Sequence, residues 1–179
     1  RPETITDYKL KKLAQIGLHR ISFGIEHGNE GFRKKYLKRE WKNEVIIKTL
    51  KIPVQHGIPF SVNNITGFPY ETRELAMETI ELNRHIESHN QNLYAFVPFH
   101  GTPLRKTCED LGLVSPETIT RAYNDKPMLN QKQYSIEQIE GLQKCFVLYV
   151  KMPKSRWQDI ERAEANTPEG NRIFTELKQ

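Results

Sequence analysis

The sequence predicts an α/β fold built on a parallel sheet and followed by a helical tail. Through residues 1–97, short apolar segments alternate with longer segments of helical period. Such alternation implies right-handed crossovers between parallel strands, in an open or barrel-shaped sheet. Each of the three short segments runs out into a polar stretch containing glycine, and after Pro98 the chain reads as helix and irregular structure.

A first helix is expected over about Asp7 to Gly17, with Thr6 as its N-cap, Leu10, Leu13 and Ala14 as its apolar stripe, and Gly17 just beyond its end. Within Leu18–Glu26, His19–Ile25 reads as a buried strand. A second helix runs from Asn43, its expected cap, toward His56, with Pro53 straining the last turn. Pro59–Thr66 is the second strand, Thr72–Glu87 a helix with Leu75, Thr79, Ile80, Leu82 and Ile86 on one side, and Leu93–Val97 the third strand. Three parallel strands are too few for an independent domain of this kind, so further strands are expected before Arg1. Thr102–Gly112 is a helix with Pro103 in its first turn, and Thr120–Gln133 is polar and irregular. Ser135-x-x-Gln138 is a capping box opening a helix striped by Ile139, Leu142, Phe146 and Val150. Ser155 and Thr167-Pro168 start further short helices. The expected division is 1–114 for the sheet-bearing part and 115–179 for the helical extension.

Composition narrows the function. The apolar fraction of 37% is below the roughly 45–50% of an ordinary globular domain, which suggests surface meant to pack on another part of the protein. No stretch approaches the about 18 apolar residues of a membrane span, and no leader is visible, so a cytoplasmic location is expected. The net charge is +5, yet the basic residues are interleaved with acidic ones, which disfavours a nucleic-acid partner. Cys108 and Cys145 are the two cysteines, far apart and without a CxxC or His/Cys spacing, so both are expected as buried free thiols. The aromatics Phe146, Tyr149 and Trp157 read as packing residues.

In parallel βα architectures ligands bind at the C-terminal ends of the strands. The first exit is Gly24-Ile25-Glu26-His27-Gly28-Asn29-Glu30, the second Asn63-Asn64-Ile65-Thr66-Gly67-Phe68-Pro69-Tyr70-Glu71-Thr72, and the third Pro98-Phe99-His100-Gly101-Thr102-Pro103-Leu104. A ligand there would meet the Glu26 carboxylate, the Asn63 and Asn64 carboxamides, the Arg39 guanidinium and the backbone at Gly101-Thr102. Carboxylates and amides accept from ribose hydroxyls or an ammonium, and arginine grips a carboxylate with two donors. The set suits a zwitterionic, ribose-bearing ligand. Plainer roles stand beside each assignment: a salt bridge for Glu26, a surface position for Arg39, satisfied core amides for Asn63 and Asn64, a surface position for His100. Glu71 is expected to orient the following helix through Thr72.

These three exits carry a family resemblance. Ile21-Ser22-Phe23-Gly24-Ile25-Glu26-His27-Gly28-Asn29-Glu30 resembles the fourth-strand segment of radical S-adenosylmethionine (radical SAM) enzymes. Ile65-Thr66-Gly67-Phe68-Pro69-Tyr70-Glu71-Thr72 resembles their fifth-strand turn. Phe96-Val97-Pro98-Phe99-His100-Gly101-Thr102-Pro103-Leu104 resembles the sixth-strand turn of the branch with an N-terminal cobalamin-binding domain. The resemblance extends over about Arg1 to Val114. It implies the C-terminal half of a partial (β/α)6 TIM-like barrel. A [4Fe–4S] cluster, held by a CxxxCxxC loop, would bind S-adenosylmethionine and reduce it to a 5′-deoxyadenosyl radical for hydrogen abstraction or methyl transfer. It also implies a reductant such as flavodoxin or ferredoxin, and cobalamin through an upstream domain.

Carried over by residue, Glu26 is the fourth-strand contact to S-adenosylmethionine and Arg39 the partner of its carboxylate. Asn63 is the fifth-strand ribose contact, with Asn64 as the alternative register, and Phe99, Gly101 and Thr102 lie beside the adenine. The sequence departs from the family in three places. It contains no CxxxCxxC, so the cluster ligands are expected outside this chain, which alone should be inactive as an oxidoreductase or transferase. His100 replaces a common proline, and Tyr70 a frequent glycine. No catalytic residue or metal ligand is assigned, and the substrate is not legible. Two other readings fit the same residues: a non-enzymatic nucleotide-binding module, and an unrelated α/β protein.

Overall fold

A computed structural model describes residues 1–122 and 126–179. Part of the Thr120–Gln133 segment expected to be irregular, residues 123–125, thus lies outside the described residues. Three parallel strands form one sheet in the order β1-β2-β3: β1 (Ile21–Glu26), β2 (Phe60–Thr66) and β3 (Asn90–Ala95). They alternate with α1 (Asp7–Gln15), α2 (Glu30–Leu37), α3 (Asn43–Gln55) and α4 (Arg73–Arg84). Then follow α5 (Pro103–Asp110), α6 (Ile136–Lys151), α7 (Trp157–Glu164) and α8 (Pro168–Leu177). The α/β class, the parallel sheet and the helical tail are as the sequence predicts. The chain divides into two compact units, residues 1–64 with 77–92, and residues 65–76 with 93–179.

In the first unit the strands and α3 meet through one apolar layer: Phe23 and Ile25 of β1, Phe60 and Val62 of β2, Ile46 and Leu50 of α3, and Leu82 and Ile86. Phe23 and Phe60 pack edge to face at 5.7 Å. Burying each such side chain contributes about 1.5–3 kcal/mol relative to leaving it in water. Because side chains alternate across a strand, this layer sends Ser22, Gly24 and Glu26 of β1, and Ser61 and Asn63 of β2, to the opposite face. The pairing runs in register from Ile21↔Phe60 to Gly24↔Asn63, then shifts by one residue so that Glu26 lies opposite Asn64.

Local signals explain most helix limits. Thr6 accepts from the Lys9 N–H, Thr102 from the Arg105 N–H, and Thr167 from the Gly170 N–H. The Ser135/Gln138 capping box is formed in both directions. Pro53 sits inside α3, as expected. Other elements differ from expectation. Asn43 does not cap α3, which has Lys42 in that position. Its side chain instead donates to the Gly28 carbonyl and accepts from Arg33. Strand β3 begins three residues earlier than Leu93, because the polar Gln91 and Asn92 are satisfied within the fold: Gln91 donates to the Asn83 and Ile86 carbonyls, and Asn92 to the Asn63 side-chain oxygen Oδ1. Helix α7 begins at Trp157 after a 3-10 turn over Lys154–Arg156, rather than at Ser155.

In the second unit α6 is the buried centre, contributing Ile139, Leu142, Cys145, Phe146, Tyr149 and Val150 to the interior. Helix α7 packs on α6 and α8 on α7, and they bury Ile160 and Ala163, and Ile173 and Leu177, respectively. Tyr149 is more than packing: its hydroxyl donates to Glu164 at 2.6 Å, and Glu164 also takes Arg73 at 2.7 Å. Among the described residues no helix is long and apolar enough to cross a membrane.

Candidate functional site

The exit of β1 is where chemistry concentrates in the first unit. Strand β1 ends in the shifted pairing, and Glu26 occupies the left-handed region at φ 70°. Such a backbone costs a non-glycine residue roughly 1–2 kcal/mol and persists only where its surroundings enforce it. The Glu26 carboxylate meets the Arg39 guanidinium at 3.0 Å, with side-chain exposures of 18% and 20%, so water and a ligand can reach both groups. Arg39 also donates to the Gly24 carbonyl at 3.3 Å and lies 5.5 Å from the centre of the Trp41 ring. Sequence reasoning selected Glu26 and Arg39 separately, and the fold joins them as one ion pair.

Arg39 reaches this position because the segment after β1 is tied down. Asn29 caps α2 by accepting from the Phe32 N–H and donates to Glu78 of α4. Gly28 lies so close to α4 that an added Cβ would stand 2.2 Å from the Glu78 carbonyl oxygen, and its N–H donates to Thr79. The hub is Arg33, which is fully buried. Its guanidinium donates to the carbonyls of His27, Gly28 and Trp41 and to the Asn43 side chain, at 2.6–3.1 Å. Burial pulls its pKa below the usual arginine value, with Glu30 opposing the shift. Sequence reasoning missed Arg33. Between Phe32 and Lys34 it reads as one more charge on a solvated helix, and nothing local marks it as buried.

Beside the ion pair, the open face of the sheet carries a row of neutral hydrogen bonds. Asn92 donates to Asn63, Asn63 donates to the Ser22 hydroxyl, and Ser61 donates to the same hydroxyl. Asn63 therefore faces the side that also bears Glu26. Asn64 points the other way and is fully buried. It exchanges hydrogen bonds with Asn83 and donates to the Asn92 carbonyl. Of the two asparagines, Asn63 lies on the open face and Asn64 is enclosed.

In the second unit, Phe99, Gly101 and Thr102 form the exit of β3. All three are exposed, as is His100. The Thr102 hydroxyl donates to the Phe99 carbonyl and caps α5, while Gly101 takes a left-handed turn at φ 77°. Buried Arg105 holds this loop, donating to the carbonyls of Pro98, Ser115, Pro116 and Thr118. At the β2 exit, the Glu71 carboxylate turns toward the residues before it in the chain. It accepts from the Gly67 and Phe68 N–H groups and the Thr66 hydroxyl. Thr66 is in turn bonded to Tyr134, whose hydroxyl burial holds in its protonated form. Tyr70 sits at φ 66°, a conformation that suits the glycine frequent at this point of the resembling turn.

The donor set at Glu26 and Arg39 fits an amino-acid zwitterion. It does not fit an iron–sulfur cluster. Among the described residues no group of three or more His, Cys, Asp or Glu side chains is placed to hold a metal. Cys108 and Cys145 are buried free thiols, and burial raises their pKa values to about 11 and about 12. At pH 8 that leaves on the order of one part in a thousand or less as the reactive thiolate. Iodoacetamide at pH 8 is expected to leave both unlabelled in the native protein and to label both in denaturant, read by mass spectrometry. Rapid native labelling would show that these helices open.

Residues 1–82 match the family model of the radical SAM superfamily. The chain is 27% identical over 150 residues to a tRNA-2-methylthio-N(6)-dimethylallyladenosine synthase of Halalkalibacterium halodurans, covering 79% of this chain and 28% of that protein. It is 29% identical over 126 residues to the protein of the same name from Shouchella clausii, covering 67% and 24%. It is 24% identical over 161 residues to an uncharacterized methyltransferase of Pyrococcus horikoshii, covering 89% and 35%. The chain thus spans about a third or less of the length of these relatives. The segment that matches the radical SAM model, residues 1–82, takes in β1, β2 and the Glu26–Arg39 pair between them.

Proposed function

We propose that this chain is the C-terminal part of the barrel of a radical SAM enzyme and supplies part of the wall that binds S-adenosylmethionine. Residues 1–114 are the barrel segment and 115–179 its helical extension. The observation that carries the reading is the Glu26–Arg39 pair, partly open to solvent, at a strand exit inside the matched segment. Arg39 binds the methionine carboxylate through its two-donor fork, Glu26 takes the ammonium or a ribose hydroxyl, and Asn63 presents its remaining amide N–H to the ribose. For Phe99, Gly101 and Thr102 the resemblance alone suggests a contact to the adenine. Reductive cleavage of the sulfonium belongs to a cluster whose cysteines are not among these residues. Alone, this chain binds and orients but does not turn over.

The names of the three relatives support transfer of a methyl or methylthio group as the reaction class. The tRNA of two names is carried no further, because many exposed cations are neutralised locally, as in Lys34–Glu40, Lys106–Asp110 and Arg172–Glu176. Cobalamin was suggested by the β3 exit turn alone and forms no part of the proposal. A cytoplasmic location and a flavodoxin or ferredoxin reductant accompany the reading, since such clusters need a reducing compartment.

The test uses the full-length protein, reconstituted anaerobically with iron and sulfide and given S-adenosylmethionine and dithionite. Formation of 5′-deoxyadenosine, measured by chromatography, is the expected result. A folded protein that holds no cluster and forms none would leave a nucleotide-binding module in its place.

A further inference from the structure

We propose that Gly24 is a positioning residue for the Glu26–Arg39 pair, acting through the space its missing side chain leaves. The inference rests on the reading of that pair as part of the S-adenosylmethionine site.

Three observations converge on Gly24. The strand pairing shifts between Gly24 and Glu26, and a bulge of this kind re-aims the side chain that follows it. Glu26 then adopts its left-handed backbone, which turns its carboxylate back along the strand. The carboxylate comes to rest over Gly24: a Cβ built there would stand 2.5 Å from Glu26 Oε1, 3.3 Å from Cδ and 3.8 Å from Oε2. Apart from Gly24 and its chain neighbours Phe23 and Ile25, these are the three nearest heavy atoms to that point, and all belong to one carboxyl group. Meanwhile the Gly24 carbonyl accepts from Arg39. One residue thus holds the cation by its backbone and makes room for the anion by having no side chain.

The consequence is selective. A methyl group at Gly24 meets only the far end of a flexible side chain, so the fold can accept it by moving the carboxylate. Moving the carboxylate takes it from Arg39, 3.0 Å away, and leaves the guanidinium positioned, among the described residues, only by the Gly24 carbonyl and the Trp41 ring. The backbone of Gly24 is not in the left-handed region, so alanine is conformationally acceptable there.

The experiment measures S-adenosylmethionine affinity by anaerobic calorimetry on the reconstituted full-length protein. Wild type, Gly24→Ala, Glu26→Ala and the double variant are compared, with thermal unfolding of each. Gly24→Ala is expected to weaken binding about tenfold, as loss of one charge-assisted hydrogen bond does, with an unchanged unfolding midpoint. In the Glu26→Ala background it is expected to add nothing, because the atoms it displaces are gone. Equal affinity of Gly24→Ala and wild type overturns the proposal, as does an undiminished effect in the Glu26→Ala background. Failure of Gly24→Ala to fold overturns it too, since the methyl would then be meeting something more rigid than a carboxylate. A wild-type protein that does not bind S-adenosylmethionine refutes instead the underlying reading of the site.

Discussion

Arg39→Ala in the full-length protein is expected to weaken S-adenosylmethionine binding by one to two orders of magnitude, measured by anaerobic calorimetry. A hydrogen bond to a charged group is worth about 1.5–3 kcal/mol, which is a factor of roughly 10 to 150 in affinity. The variant removes both arms of the fork and leaves the Glu26 carboxylate without its cation at 3.0 Å. That carboxylate would then repel the ligand carboxylate it previously shared Arg39 with. Stability should change little, because both side chains remain in reach of water, where an ion pair contributes at most about 1 kcal/mol. Arg39→Lys separates charge from shape: it keeps the charge but cannot present two parallel donors, so it should recover only part of the loss. Unchanged affinity in Arg39→Ala would remove this residue from the site.

Arg33→Ala is expected to destabilise the protein by about 3–5 kcal/mol, since each buried acceptor left without a donor costs about 1–3 kcal/mol. The carbonyls of His27 and Trp41 and the Asn43 side-chain oxygen lose this donor at once, and the Gly28 carbonyl keeps its bond from Asn43. No water can replace a fully buried guanidinium without opening the segment. Arg33→Lys should not restore stability, because one ammonium cannot span the His27–Gly28 and Trp41–Asn43 sides together. Denaturant unfolding monitored by circular dichroism reads both variants. A loss below about 1 kcal/mol in Arg33→Ala would mean that the segment between β1 and α3 is held by other contacts. The effect reaches function indirectly, since this segment carries Arg39.

How far the sequence could be read depended on whether a signal was local. The caps at Thr6, Thr102, Ser135 and Thr167 were legible because an N-cap hydroxyl bonds an N–H three residues away, whatever the rest of the chain does. Strand β3 was read three residues late because Asn90-Gln91-Asn92 has low strand propensity. The pairing partners that satisfy Gln91 and Asn92 are invisible in that stretch. Helix α2 was passed over for a similar reason: its charges look uniformly solvated, and only the fold shows that Arg33 is enclosed while Lys34 and Lys35 are exposed. Glu71 was placed in the right turn, but its bonds to Gly67, Phe68 and Thr66 were not foreseen, since its carboxylate turns toward groups before it in the chain.

The sequence by itself determined the α/β class, the parallel order of the strands and the three exits that carry the resemblance to radical SAM enzymes. Alternation, caps and short motifs are properties of neighbouring residues, and they survive without knowledge of the whole. Only the tertiary structure decided which of Asn63 and Asn64 faces the open side, because a one-residue shift of register exchanges the faces and both residues are asparagine. It alone joined Glu26 to Arg39 across thirteen positions of chain, through a bulge, a left-handed glutamate and a buried arginine. That union depends on how far the backbone turns after Gly24. The turn is set by the packing of the whole segment, and no stretch of sequence within it states the angle.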